Sequence, residues 1–315
     1  NCSFSSSDQP NGSTRTLSGR RRCPSGRGTS YGNSLRKACG RGDIERPNFN
    51  IAVPPNGYAW WYVDGISKTT DRAVSIIGFI GSVFSPWYRW SGRKNPENHV
   101  CINVATYGPG GRFTMTDRGQ SALRQSESVL QIGPSSMRWE KNCLIIDVDE
   151  ISSLPLVSRV KGKVIVTPSA VTNVELPLTE DGAHVWRPFA PTAHISVDLN
   201  GKDWQWEGHG YFDANFGIRA LEEDFRYWTW GRFPISGGST CFYEATRLDG
   251  SELAAAVNFA SNGSAVEIAT PPKAILRRSL WGLSVKHVRT LATNQRRFEI
   301  CWTLHFTVVL LLKLN

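Results

Sequence analysis

Between residue 51 and about residue 270, short apolar and aromatic runs recur, broken about every ten residues by Pro, Gly and Asn clusters such as Pro54-Pro55-Asn56-Gly57 and Gly108-Pro109-Gly110-Gly111. Punctuation this frequent leaves no room for long helices and calls for many short strands joined by tight turns. Strands are expected over 58–63, 73–80, 99–107, 112–116, 136–140, 144–151 and 157–167, then over 184–188, 194–199, 204–211, 225–233, 240–248, 253–259 and 265–269. Only 218–224 reads as a helical turn. The expected fold class is all-β.

In Trp204-Gln205-Trp206 and Trp228-Thr229-Trp230 the aromatics recur at period two, so each pair shares one face of its strand. Ten of the twelve tryptophans fall between Trp60 and Trp230. They can fill a solid sandwich core, or line a barrel cavity that holds an apolar ligand.

The net charge of +9 is uneven: residues 1–48 carry 9 basic and 3 acidic side chains, residues 271–315 carry 8 and 1, and the body between carries 19 and 23. The basic excess lies on the segments least suited to fold, so a nucleic-acid partner is not expected. Ser, Gly, Arg and Asn dominate 1–48, which reads as a disordered basic segment. The longest conspicuous apolar run, 308–312, is far shorter than the roughly 20 residues of a membrane span. The first residue is Asn, as in a fragment or a processed end. Seven scattered cysteines without CxxC spacing are expected to be reduced thiols of a cytoplasmic protein.

The stretch Trp204 to Gly217 places His209, Tyr211, Asp213 and Asn215 among three glycines. On a strand, Tyr211 and Asp213 face one side. A carboxyl beside aromatics is desolvated, its pKa rises, and it can serve as an acid near neutral pH. The alternative is an Asp and an Asn capping a turn. His184-Val185-Trp186 repeats the same-face geometry; its His can relay protons or be a satisfied core residue, and its Trp offers a face to a cation. His99, His184, His194 and His209 lack HxH or HxxxH spacing, so no metal site is expected. There is no GxSxG elbow, P-loop or dinucleotide fingerprint.

Five segments together resemble the carotenoid 1,2-hydratases, or hydroxyneurosporene synthases. They are Pro54-Pro55-Asn56-Gly57-Tyr58-Ala59-Trp60-Trp61-Tyr62-Val63-Asp64, Ile77-Gly78-Phe79-Ile80-Gly81-Ser82-Val83-Phe84-Ser85-Pro86, Asn98-His99-Val100-Cys101-Ile102-Asn103-Val104, His184-Val185-Trp186-Arg187-Pro188, and 208–217. The match runs from about Pro47 to about Trp281. The resemblance implies two lipocalin-like antiparallel β-barrel or sandwich domains packed together, at 49–178 and 179–285, between disordered termini. It implies a cofactor-independent hydro-lyase that adds water to the terminal 1,2 double bond of an acyclic carotene such as neurosporene or lycopene.

On this resemblance Asp213, His184, Tyr211 and Trp186 are the catalytic candidates. Asp213 would be the acid, Trp186 and Tyr211 would stabilise a cation through their ring faces, and His184 would deprotonate water or orient Asp213. Trp61, Tyr62, Trp206, Trp228, Trp230, Asn215 and His209 are the candidate substrate- and water-binding residues. The implied partners are the carotene, water and, because the substrate is insoluble, a transient membrane surface. The implied setting is the cytoplasmic side of the inner membrane of a photosynthetic purple bacterium. Two rivals share the scaffold: a non-catalytic carotenoid or lipid carrier, which needs no acid, and a pericyclic cyclase. Codons permitted for 286–310, read two bases later, spell strings like the family's own C-terminal segment. That places a frameshift between about Leu283 and Lys286 and makes 286–315 a non-native tail.

Overall fold

A computed structural model describes residues 35–37, 45–152, 157–270, 272–274, 288–289, 295–302 and 306–313. In chain order the elements are β1 (Arg36–Lys37), β2 (Tyr58–Ser67), β3 (Ala73–Ile80), the short helix α1 (Pro86–Trp90), β4 (Val100–Tyr107), β5 (Phe113–Thr114), β6 (Leu123–Gln125), β7 (Val129–Ile132), β8 (Ser135–Glu140), β9 (Cys143–Ile151), β10 (Arg159–Pro168), β11 (Val174–Pro177), β12 (His184–Leu199) and β13 (Gln205–Gly217). They continue with β14 (Phe225–Ile235), β15 (Gly238–Arg247), β16 (Glu252–Ala260), β17 (Ala265–Ile268), β18 (Lys273–Ala274), β19 (Val288–Arg289), β20 (Gln295–Trp302) and β21 (Phe306–Lys313). The all-β expectation holds.

A large antiparallel sheet runs β5-β4-β3-β2-β13-β12-β10-β9-β8-β7-β6, and a second sheet runs β14-β15-β16-β17. The turns follow their residues: Lys141 and Asn142, both at positive φ (50° and 61°), form the tight β8–β9 connection, as a primed two-residue turn requires. The large sheet curls, so that Val74 and Ile76 of β3 share one apolar core with Leu130, Met137, Ile146 and Val164 from its far strands. β12 is bent where Pro188 and Pro191 interrupt its ladder, with register shifts between Arg187 and Ala193, because proline cannot donate to a neighbouring strand. The bend lets one strand pair with β11 through Val185 and Trp186 and with β10 through Ala193–Leu199.

β12 and β13 lie inside the large sheet, between β10 and β2, so strands on both sides of the expected 178/179 boundary share one set of hydrogen bonds. The outer face of this region packs on β14–β16 to form a second core, which contains Trp60, Tyr62, Phe79, Tyr211, Trp230 and Tyr243.

Most of 1–48 lies outside the described residues. Within them, Arg36–Lys37 departs from the expected disorder: it pairs with β11, with Arg36 opposite Glu175. The Pro47 carbonyl accepts a 3.1 Å hydrogen bond from Trp61 Nε1. The frameshift reading of 286–315 concerns codons, and apart from the backbone of β19–β21 that segment lies outside the described residues. The expectation of reduced thiols is corrected at one position: Cys101 and Cys241 are free and buried, but Cys143 is disulfide-bonded. Spacing along a chain does not reveal which thiols a fold brings together.

Candidate active site

Strand register assembles the site. Opposite one another across β13 and β2 lie Tyr211 and Asp64, Asp213 and Tyr62, and Asn215 and Trp60; across β12 and β13 lie Trp186 and Asn215. Directly paired residues point to the same face, and here that face is covered by the second sheet. The period of two therefore turns one run of β13 into a row of three polar groups facing aromatic neighbours.

Asp213 is at the centre, 3% exposed. Its Oδ2 accepts from Tyr211 Oη at 2.7 Å and from Trp186 Nε1 at 2.8 Å, while its Oδ1 has only the long 3.5 Å contact from Asn215 Nδ2. Burial pushes its carboxyl up to about 7, against the two donors on Oδ2 and with help from the Asp64 charge. A carboxyl shifted this far can hold a proton near neutral pH, and Oδ1, the oxygen short of partners, is the atom free to carry it.

Asp213 and Asn215 open onto a cavity walled by Trp60, Tyr62, Ile77, Phe79, Phe84, Trp228, Trp230 and Tyr243. Trp60 and Trp228 lie nearly parallel, at 14° with centroids 6.4 Å apart, and Trp228 stacks on Tyr243 at 5.6 Å. In this wall Asn215 Oδ1 and Trp230 Nε1 have no hydrogen-bond partner among the described residues.

His184 is buried elsewhere. Its Nδ1 is 2.8 Å from Tyr58 Oη and its Nε2 is 2.7 Å from Asp224 Oδ2. Burial lowers its pKa, so the ring is neutral at pH 7. Burial alone would raise the Asp224 pKa, but hydrogen bonds from Arg219 and His184 outweigh it and keep the group ionised. The ring accordingly donates from Nε2 to Asp224 and accepts from Tyr58 at Nδ1, which occupies both nitrogens. A Cβ at Gly217 would fall 2.2 Å from the Tyr58 ring and 2.9 Å from His184 Nδ1, so only glycine leaves room for this pair.

The structure brings together Asp213, Tyr211, Trp186, Asn215, Tyr62, Trp228 and Trp230. It sets the other expected site residues apart. Trp61 and Trp206 face the core inside the curled sheet, and the His209 side chain is exposed. Strand parity separates two of them: Trp61 is one residue out of step with Tyr62, and Trp206 is out of step with Asp213; His209 shares the parity of Asp213, but only its backbone carbonyl meets the second sheet, through Arg232, and its side chain stays exposed.

Several residues were missed, among them the cavity-wall residues Ile77, Phe79, Phe84 and Tyr243. Trp60 is another, although period-two counting back from Tyr62 finds it. So were Asp64 and Arg232, a buried pair linking β2 to β14: Arg232 Nε donates to Asp64 Oδ1 at 2.7 Å, its Nη2 binds the same oxygen, and Tyr62 Oη donates to Asp64 Oδ2 at 3.2 Å. Nothing in the spacing of residues 168 positions apart announces such a pair.

An all-β scaffold that buries a carboxyl of raised pKa in an aromatic cavity is built as acid-bearing proteins for apolar groups are. The comparisons narrow that class. The family model for the carotenoid hydratase CrtC matches residues 76–299, and the chain belongs to that family. An acyclic carotenoid 1,2-hydratase of Cereibacter sphaeroides is 63% identical over 206 residues, covering 65% of this chain and 74% of the relative. One from Rhodobacter capsulatus is 58% identical over 207 residues, covering 65% and 73%. One from Thiocapsa roseopersicina is 41% identical over 261 residues, covering 82% and 64%. The family match extends past Trp281, the expected limit of the resemblance.

Proposed function

We propose that this chain adds water to the terminal 1,2 double bond of acyclic carotenes such as neurosporene or lycopene. The observation that carries the reading is the Asp213 carboxyl, held at a pKa of about 7 in an aromatic cavity with two donors fixed on Oδ2. A carrier needs no such acid, and the family match favours the hydratase over both rivals.

Asp213 Oδ1 gives its proton to C2, and C1 becomes a tertiary cation. The rings of the cavity wall, Trp60, Trp228 and Tyr243, stabilise it; in a dry site such contacts are worth about 2 kcal/mol. Trp186 and Tyr211, expected to act through their faces, instead spend their N–H and O–H on Asp213, where they stabilise the carboxylate left by proton transfer. Asn215 Oδ1 and Trp230 Nε1 can hold the attacking water. Water oxygen bonds to C1, and the resulting oxonium returns one proton to Asp213, so the acid is regenerated and the net change is addition of one water. His184, with both nitrogens bonded, holds Tyr58 and through it the Trp60 ring stacked 4.8 Å away.

The end group of the carotene enters this cavity. The polyene remains outside, in lipid, and the chain works peripherally at the cytoplasmic face of the inner membrane. Among the described residues no helix is long and apolar enough to cross a membrane. Incubation of the purified protein with neurosporene or lycopene in detergent, without added cofactors, should yield a product heavier by one water. Carotene bound tightly but recovered unchanged would favour the carrier.

A further inference from the structure

Helix α1 exposes the two tryptophans in its sequence Pro86-Trp87-Tyr88-Arg89-Trp90. Trp87 and Trp90 are 60% and 71% exposed and meet edge-on, with centroids 5.0 Å apart. The helix period explains the arrangement. Tyr88 turns inward and donates from Oη to the Gly57 carbonyl at 2.7 Å, while positions three apart share the outer face. Burying this pair against solvent would be favourable, yet the fold leaves it in water.

Charge and position identify what covers it. Between Phe84 and Pro96 the chain holds Arg89, Arg93 and Lys94 and no acidic residue; the Arg89 side chain is 70% exposed and Lys94 is exposed. Arg93 is paired with Glu222, whose carboxylate also lies 4.0 Å from Arg89 Nε, in a neighbouring segment that also exposes Ile218; Arg89 and Lys94 both keep exposed side chains. Indole rings flanked by cations suit the boundary between acyl chains and anionic headgroups. Phe84, two residues before α1, lines the cavity and packs on Phe79 at 5.3 Å, so this patch adjoins the reactive site.

We propose that Trp87 and Trp90, with Arg89 and Lys94, form the surface by which the protein docks on an anionic lipid bilayer, setting the cavity beside the phase that holds its substrate. The proposal rests on the hydratase reading for its substrate, but docking itself can be measured without turnover.

The test compares wild type with Trp87→Ala/Trp90→Ala and with Arg89→Gln, using co-sedimentation with phosphatidylcholine vesicles with and without phosphatidylglycerol. Wild type should bind the anionic vesicles. The tryptophan variant should lose at least tenfold in partitioning, about 1.4 kcal/mol, and Arg89→Gln should lose only the anionic preference. Hydration should fall in parallel for carotene embedded in vesicles and stay unchanged for carotene in detergent. Vesicle binding by the tryptophan variant equal to wild type would overturn the proposal. So would a wild type that ignores vesicles but forms a dimer dissociated by the two substitutions, because a second copy would then cover the patch. Vesicle binding without hydration in either medium would leave the docking surface standing and count against the hydratase reading.

Discussion

At Asp213 one hydrogen-bonding asymmetry organises the chemistry: two donors on Oδ2 and almost none on Oδ1. If Oδ1 delivers the proton, Asp213→Asn should keep the shape and carotene binding of the site but reduce hydration by well over tenfold; a residual rate above roughly a tenth of wild type, a loss under about 1.4 kcal/mol, would assign the proton elsewhere. The reactive form is the protonated one, so kcat should fall as pH rises through about 7. Stability follows the same sign. A carboxyl whose folded pKa exceeds its unfolded value of about 4 contributes most below that pH and loses the contribution as pH rises through the folded value. Asp213→Asn should flatten that part of the Tm–pH curve, and an unchanged curve would mean that another group titrates. Tyr211 and Asp213 were legible as a pair because period-two alternation puts them on one face; the partner of each oxygen was not, since that depends on where Trp186 arrives from another strand.

Among the elements, β2, β13 and β14 define the cavity, and the Asp64–Arg232 pair joins the first of them to the last. Both side chains are within 1% of full burial. Burial works against the charge of Arg232, but the Asp64 carboxylate outweighs it and raises the guanidinium pKa. Removing one partner should therefore cost about 3–5 kcal/mol, whereas replacing both with apolar residues should cost much less. Chemical denaturation of Arg232→Met and of Asp64→Leu/Arg232→Met tests this; equal losses in the two variants would show that the charges are not coupled. Strands were readable from turn residues and alternation, and the β14 and β15 regions were expected within a few residues of their ends. The path of β12 through the large sheet was not readable, because proline marks where a strand bends but not which neighbours it then meets.

Over the whole molecule, the curled sheet supplies a rigid wall and the smaller sheet closes the cavity over it. If 286–315 is a non-native tail, truncation after residue 285 should leave Tm within a few degrees of wild type and hydration intact. Because β21 lies beside β14 and the family match continues to residue 299, a collapse of either property would instead make the segment part of the working fold. The central claim, that a buried aspartic acid protonates C2 and water then captures C1, is tested most directly by turnover of neurosporene in deuterated buffer. Mass and NMR analysis should find one carbon-bound deuterium at C2 and one hydroxyl at C1, with neither formed by Asp213→Asn. A hydroxylated product without deuterium at C2, or the same labelled product from Asp213→Asn, would contradict the account.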